Sequence, residues 1–426
     1  MTLRWSLSPR ARLKGVLLFL AVMGPGIITA LVDNDAGGIA TYSLAGAHYG
    51  YSLLWTLLPT LAALIVVQEM CARMGVVTGK GLADLIREQF GVRVAFTVML
   101  LLVVANLGNI LAEFAGIAAS LETLQLPMGI HISRYYSIPV AAFAVWRLVV
   151  KGSARGVEKV FLAACLVYLA YPVSGILAHP DWGHLLSRTV VPEFHWDPGY
   201  IGMLVGMVGT TIAPWMQFYQ QSAVVEKGIR PDQYHASRMD TVIGMVFSVL
   251  VAFFITVACA ATLFQNHVRI QDAAGAAQAL APLAGRYAAT LFAIGLFNAS
   301  LFAASILPLS TAYSVCESFG WETGVDRRFM EAPQFFGLYT FLIAVGAGVI
   351  LTPHFPLLKV MFLSQVANGI LLPVILIAML RLVNDRSVMG DQVNGPAFNF
   401  IAWTTVVVMI LLTGALLVSL FARTSP

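Results

Sequence analysis

Asp33-Asn34-Asp35-Ala36-Gly37-Gly38 interrupts an otherwise apolar run from Val16 to Ala47. Two carboxylates and two adjacent glycines at the depth of a bilayer contradict everything around them. Glycine favours a break in the helix, and a broken helix in hydrocarbon is tolerated only where it is packed in protein or lines a cavity. An ionisable side chain there marks a functional site by default, because burying it unpaired is costly. The structural alternative is a kinked helix whose carboxylates pair with a neighbouring arginine, but no basic residue lies deep in any other apolar run. A positive charge is therefore expected at Asp35, brought by cargo.

The chain around this stretch has the composition of an integral membrane protein. Hydrophobic residues make up 59% and charged residues 11%, and the mean hydropathy is +0.82, which excludes a soluble domain with a single anchor. The net charge of +4 calls for no nucleic-acid partner, since orientation rules account for the basic residues. Cys71, Cys165, Cys259 and Cys316 stand singly in apolar segments, so neither a disulfide framework nor a zinc site is expected. Arg4, Arg10, Arg12 and Lys14 before a long span resemble a signal peptide. The run is too long and no small-residue cleavage site follows, so it reads as a retained first helix.

Spans need about 20 apolar residues, and the chain supplies about eleven. They run over 15–47, 51–77, 92–121, 134–151, 157–178, 199–224, 238–264, 283–316, 333–354, 357–382 and 395–422. The longest link between them is His179–Pro198, and no soluble domain is expected. With the N-terminus inside, nineteen of the 25 Lys and Arg residues fall on the inner side and six outside, as positive-inside orientation requires. An odd number of spans then places the C-terminus outside.

The sixth run carries the second anomaly, Gly209-Thr210-Thr211-Ile212-Ala213-Pro214-Trp215-Met216-Gln217. Proline in a helix interior removes one backbone hydrogen bond and blocks another, and it pushes the preceding residue towards extended geometry. Carbonyls at Thr210 and Thr211 are thereby freed to face a ligand. This break comes five spans after the first, and five is odd, so the two halves have inverted topology. Paired breaks in inverted halves point to a transporter site at the membrane midplane.

Further residues make the resemblance specific. Gly24-Pro25-Gly26 opens the first span, Gly50-Tyr51-Ser52-Leu53-Leu54-Trp55 opens the second, and Cys71-Ala72-Arg73-Met74-Gly75-Val76-Val77-Thr78-Gly79-Lys80 closes it. With the two breaks, these make the chain resemble the Nramp family of divalent-metal transporters. The resemblance implies an all-α integral membrane protein with the LeuT-type 5+5 inverted repeat, broken helices 1 and 6, and one extra C-terminal span. One transmembrane domain would then occupy 1–426, with repeats at 15–178 and 199–382 and the extra span at 395–422.

Departures from the family pattern are informative. The family reads Asp-Pro-Gly-Asn in the first span; this chain has Asp35-Ala36-Gly37-Gly38, keeping the aspartate and losing the asparagine ligand. The family's sixth-span methionine is Ala213, the neighbouring histidine is Trp215, and a second histidine aligns with Gln220. Thioether sulfur selects soft metals, whereas carboxylate, carbonyl and water suit Mg²⁺, Ca²⁺ and Mn²⁺. Mg²⁺ also dehydrates reluctantly and keeps several waters, so a wider, all-oxygen pocket suits it. The pattern resembles the Nramp-related magnesium transporter branch, although an aluminium-transporting branch also lacks the methionine. Coupled relatives have an aspartate where Ile110 stands and an arginine in the ninth span, Phe336–Val349, which has no basic residue here. A relay of titratable groups is thus missing its members.

The resulting expectation is an inner-membrane importer of Mg²⁺, with Mn²⁺ as a second cargo, that works by alternating access without driving protons. Asp35 supplies the main charge; carbonyls of Ala36 and Thr210 and the Gln365 amide supply oxygens; Gly38 and Ala213 supply space. Asp33, Glu113 and Trp215 are expected beside the site or in its vestibule, Glu113 as a hydrogen-bonded structural carboxyl with a transport role as the alternative. Gln68-Glu69 is expected to solvate an inner vestibule, and Asn368 to hold helices together as intramembrane amides do. No cofactor and no obligatory protein partner are expected beyond the cation and the bilayer. The rivals are a transporter of Mn²⁺ or Al³⁺, one of a small organic cation or amino acid, and a non-transporting metal sensor. No intramembrane enzyme motif is present.

Overall fold

The computed structural model describes residues 24–124, 132–151, 168, 170–271, 273–280, 285–325 and 327–424, and every regular element among them is helical. The first expected span is two half-helices, α1 (Pro25–Asp33) and α2 (Ala36–Tyr49), parted by Asn34 and Asp35. Residues 15–23 of that run lie outside the described ones. After a turn of 3₁₀ helix at Leu54–Thr56 comes α3 (Leu57–Thr78). It closes on Gly79 at φ 64°, a left-handed cap that glycine adopts without strain. The long helix α4 (Leu82–Thr123) bends at Gly91, φ 81°, so the crossing segment starts near residue 92, where the sequence places it.

Next come α5 (Arg134–Lys151) and α6 (Ala170–Leu177); the fifth expected span, 157–178, is described only at 168 and 170–178. The link His179–Pro198 holds a short helix, α7 (Trp182–Val190), whose first amides are capped by Asp181. The sixth span is again two half-helices, α8 (Pro198–Thr211) and α9 (Pro214–Glu226), parted by Ile212 and Ala213. Then follow α10 (Tyr234–Cys259), α11 (Ala288–Phe319), α12 (Pro333–Ile350), α13 (Leu357–Val383) and α14 (Pro396–Thr424).

Eight helices among the described residues are long and apolar enough to cross a membrane. The three other expected spans fall short for identifiable reasons. The first has Asp33, Asn34 and Asp35 at its centre and its residues 15–23 outside the described ones, the fourth carries Arg134, Arg147 and Lys151, and the fifth lies mostly outside the described residues.

Lipid supplies no hydrophobic drive between helices, so close backbone approach and interhelical hydrogen bonds must hold them. Glycine provides the approach at two critical crossings. A Cβ at Gly209 of α8 would overlap the Gln365 carbonyl and Gly369 of α13, and one at Gly244 of α10 would lie 2.8 Å from the Gly26 carbonyl of α1. The first crossing brings Gln365 to the broken helices; the second presses α1 onto α10.

Asp240 of α10 strengthens that second crossing. Its fully buried carboxylate accepts from Gly24 N at 3.2 Å and Gly26 N at 2.7 Å, taking up free amides at the start of α1. Replacing Asp240 by Ala leaves those amides unpaired and should cost about 1–3 kcal/mol. A thermal midpoint in detergent equal to that of the unaltered protein would refute the clamp.

Gln68 and Glu69 correct one expectation, since they are buried and solvate no vestibule in this conformation. Glu69 accepts from Tyr234 Oη and pairs with Arg73 at 3.3 Å, and Arg73 also donates to the Gln392 carbonyl and the Asn394 side chain. This end of α3 is tied to α10 and to the α13–α14 connection.

Candidate functional site

Both interruptions are two residues long, and both second half-helices start from an extended residue. Asp35 (φ −73°, ψ −175°) precedes α2, and Ala213 (φ −69°, ψ 138°) precedes α9. Asp35 Oδ1 caps α2 by accepting from Gly38 N at 2.7 Å. Pro214 has no N–H to return to the Thr210 carbonyl, as its chemistry requires. At the first turn of α2 the end of α1 presents the Asp33 carbonyl and the end of α8 the Thr210 hydroxyl, both beside Gly38. Half-helix C-termini in that arrangement favour cations.

Gly38 packs directly against oxygen, with no room for a methyl group. A Cβ there would lie 2.9 Å from the Asp33 carbonyl, 3.3 Å from Thr210 Oγ1 and 3.4 Å from Asp35 Oδ1. Thr210 Oγ1, Asp33 Oδ1 and Glu113 Oε1 are all buried without a hydrogen-bond partner. Buried polar atoms ordinarily find partners, so three orphans in one region point to a ligand. None of Asp33, Asp35 and Glu113 forms an ion pair among the described residues. No cluster of three His, Cys, Asp or Glu side chains is found among them either, so the donors available are mixed oxygens.

The expected residues divide as follows. Gln365 does reach the break: its amide lies against Gly37, where a Cβ would overlap it. Ala36 presents its N–H rather than its carbonyl, donating to Glu113 Oε2 at 3.2 Å, and the carbonyl bordering Gly38 is that of Asp33. Glu113 is not remote, because its carboxyl faces that of Asp35. Two facing carboxyls out of water repel unless a cation or a proton stands with them.

Asp33 Oδ2 accepts from Ser248 Oγ at 2.6 Å, and Asn34 Nδ2 donates to the same hydroxyl at 3.0 Å, which ties the break to α10. The Ala213 carbonyl is already engaged by Met216 N and, with its amide nitrogen turned to the helix start, by Gln217 at 2.8 Å. Ala213 thus contributes only a methyl group. Trp215 is 1% exposed and lines no open vestibule here. Ser248, Gln217 and Asn109 escaped the sequence reading as site residues. Asn109 and Gln217 carried a signal, each an amide in an apolar span, whereas Ser248 carried none.

The positions where a proton relay would sit are occupied by other chemistry. Ile110 of α4 packs on α12 at Gly346, whose Cβ would overlap Ile110 Cγ2 and lie 3.2 Å from Phe114. Gln220 accepts from Thr29 Oγ1 at 2.8 Å and donates to Thr241 Oγ1 at 3.2 Å, a satisfied neutral bridge between α1 and α10. Asp33, Asp35, Thr210 and Gln365 are each at most 4% exposed. The site is closed to both sides, so passage requires helices to move.

The profile of a family described as natural resistance-associated macrophage protein-like matches residues 26–419. The divalent metal cation transporter MntH of Deinococcus radiodurans is 28% identical over 98% of this chain and 93% of its own length. MntH of Bacillus subtilis is 25% identical over 96% and 95%. Among solved structures, the manganese transporter of Eremococcus coleocola superposes with a TM-score of 0.74 at 21% identity, over 96% of this chain and 89% of that one. A nucleobase-cation-symport-1 family transporter superposes at 0.60 with 16% identity, over 94% and 92%. These likenesses establish the LeuT-type transporter fold.

Proposed function

The chain belongs to the natural resistance-associated macrophage protein (Nramp) family, and from that premise we propose that its cargo is Mg²⁺, moved inward across a bacterial inner membrane. It is a multi-pass membrane transporter of divalent metal cations and not an enzyme. The proposed transport unit spans the whole chain, with repeats at 15–178 and 199–382, N-terminus inside and C-terminus outside. Asp35 is the anchoring carboxylate, the Asp33 carbonyl, Thr210 and the Gln365 amide supply further oxygen, and Glu113 adds the second negative charge that balances a dication.

One observation carries this reading. The three atoms nearest a Cβ at Gly38 are all oxygens, of the Asp33 carbonyl, the Thr210 hydroxyl and the Asp35 carboxylate. Such donors suit a hard cation; one that keeps part of its water enters only as the break widens, since a Cβ at Gly38 would already meet the Asp33 carbonyl at 2.9 Å. Mn²⁺ accepts the same oxygens, and it is the cargo named for the Eremococcus coleocola relative. Uptake into liposomes of Mg²⁺, Mn²⁺ and Ca²⁺, each competed against the others, decides between them. Mn²⁺ uptake saturating well below Mg²⁺, and undisturbed by excess Mg²⁺, would reassign the cargo.

Proton coupling is absent in this proposal, supported by the Ile110–Gly346 contact and the neutral Gln220 bridge. A divalent cation moving inward gains about 4.6 kcal/mol per 100 mV, twice the single-charge value, so the membrane potential alone drives accumulation. Internal pH recorded during Mg²⁺ uptake should therefore stay constant, and an imposed pH gradient should drive nothing once the potential is clamped. Stoichiometric acidification would overturn this. Its loss in Glu113→Gln would then identify Glu113 as the carrier.

A further inference from the structure

An amide has a right end and a wrong end for a cation: the oxygen is a ligand, whereas the nitrogen presents positive hydrogens. In this structure the nitrogen end of Gln365 is the one turned to the start of α2. Nε2 is the atom against Gly37, and it donates to Ser364 Oγ at 3.3 Å. Oε1 is turned away and accepts from Asn368 Nδ2 at 2.9 Å. Asn368 is paired in turn with Asn109 of α4. Asn109 Nδ2 donates to Asn368 Oδ1 at 3.1 Å, and Asn368 Nδ2 donates to Asn109 Oδ1 at 2.9 Å. All three amides are at most 1% exposed, so water cannot replace one partner by another.

The same heavy-atom positions admit a second solution. Turning all three amides by half a rotation exchanges every N with its O. Asn109 and Asn368 still exchange two hydrogen bonds, and Gln365 Nε2 now donates to Asn368 Oδ1. No bond inside the ring is lost, yet Oε1 now faces Gly37. One contact outside the ring breaks the balance. The Ser364 hydroxyl is committed to the Met361 carbonyl at 2.9 Å, so the turned amide would set two oxygens facing each other. That contact favours the observed arrangement without a cation, and a cation attracted to both oxygens reverses the preference.

We propose that Gln365, Asn368 and Asn109 form a two-state amide relay that turns the Gln365 oxygen towards the cargo on loading and away on release. Asn368 and Asn109 are positioning residues, and Ser364 sets the bias. The relay carries no charge and moves no proton. It rests on the reading of Asp35 as the cargo carboxylate.

Two variants test it in opposite chemical ways, each also made in a Gln365→Ala background. Ser364→Ala removes the bias, so the Kd for MgCl₂ by calorimetry should fall about fivefold, the worth of one net hydrogen bond. Asn368→Asp offers only acceptors and holds Gln365 with its oxygen inward. Kd should again fall, while the maximal uptake rate falls too, because release is slowed. The Ser364→Ala shift should vanish once Gln365 is Ala, and the Asn368→Asp shift should shrink to what its added charge contributes. An unchanged or weaker affinity in Ser364→Ala, or shifts that persist undiminished without Gln365, would sink the relay. If Asp35→Asn is inactive while Ser364→Ala leaves Kd unchanged, only the relay is lost; if Asp35→Asn transports normally, the cargo site itself is misplaced.

Discussion

Asp35→Asn should yield a folded protein that no longer moves Mg²⁺. Two roles meet in this side chain, and the substitution separates them. Asp35 caps α2 through Oδ1, and asparagine caps a helix about as well as aspartate. The break and the start of α2 therefore survive. What disappears is the carboxylate charge beside Gly38, in a site that is 4% exposed at Asp35 and whose acids pair with no basic side chain among the described residues. Removing one partner of a buried charge pair costs about 3–5 kcal/mol, which weakens binding by roughly 10²–10⁴-fold. Calorimetry with MgCl₂ should show no measurable binding, liposome uptake should fall to background, and the thermal midpoint should stay near that of the unaltered protein. Retained uptake would show that cargo does not bind at Asp35. An unfolded variant would show that the charge, and not the cap alone, holds the break.

The combined change Gly38→Asn with Ala213→Met should move preference away from Mg²⁺ and towards Mn²⁺ and Cd²⁺. The first atom added at 38 meets the Asp33 carbonyl at 2.9 Å and Thr210 Oγ1 at 3.3 Å, so the break must give by a few tenths of an ångström. Overpacking of that kind costs about 1–3 kcal/mol. The added side chain then opposes the widening that a Mg²⁺ keeping part of its water would need. Methionine at 213 brings a thioether to the extended residue before α9, and sulfur favours soft metals. The ratio of Cd²⁺ to Mg²⁺ uptake should rise by about tenfold or more, equivalent to about 1.4 kcal/mol. Unchanged selectivity in a folded, active variant would refute the argument from size and softness.

Particular residues show how far the sequence could be read. Asp33 to Gly38 and Ile212 to Pro214 announced both helix breaks, because carboxylates, paired glycines and proline contradict an apolar helix wherever they occur. The apolar runs marked the spans for the same local reason. A span must satisfy its backbone within itself, so its signature is contiguous. Gly91 was legible only in part. The third span was placed beyond it, yet the helix continues through the bend to Leu82. Gln68 and Glu69 were misread because their partners, Tyr234, Arg73 and, through Arg73, the 392–394 segment, are not visible from an acidic pair in an apolar stretch.

The sequence by itself determined the membrane class, the two breaks, the carboxylate at Asp35 and the absence of sulfur at 213, since each is a property of a few adjacent side chains. Tertiary structure alone decided which oxygens converge. The Asp33 carbonyl, not that of Ala36, borders Gly38, and Glu113 turns to Asp35 rather than to a remote partner. Ile110 meets Gly346, and Asn109 pairs with Asn368 across 259 residues of chain. These outcomes depend on how α1, α4, α8, α12 and α13 pack. A carbonyl or an amide has the same identity in every orientation, and only the neighbours brought by packing select the end that faces the site.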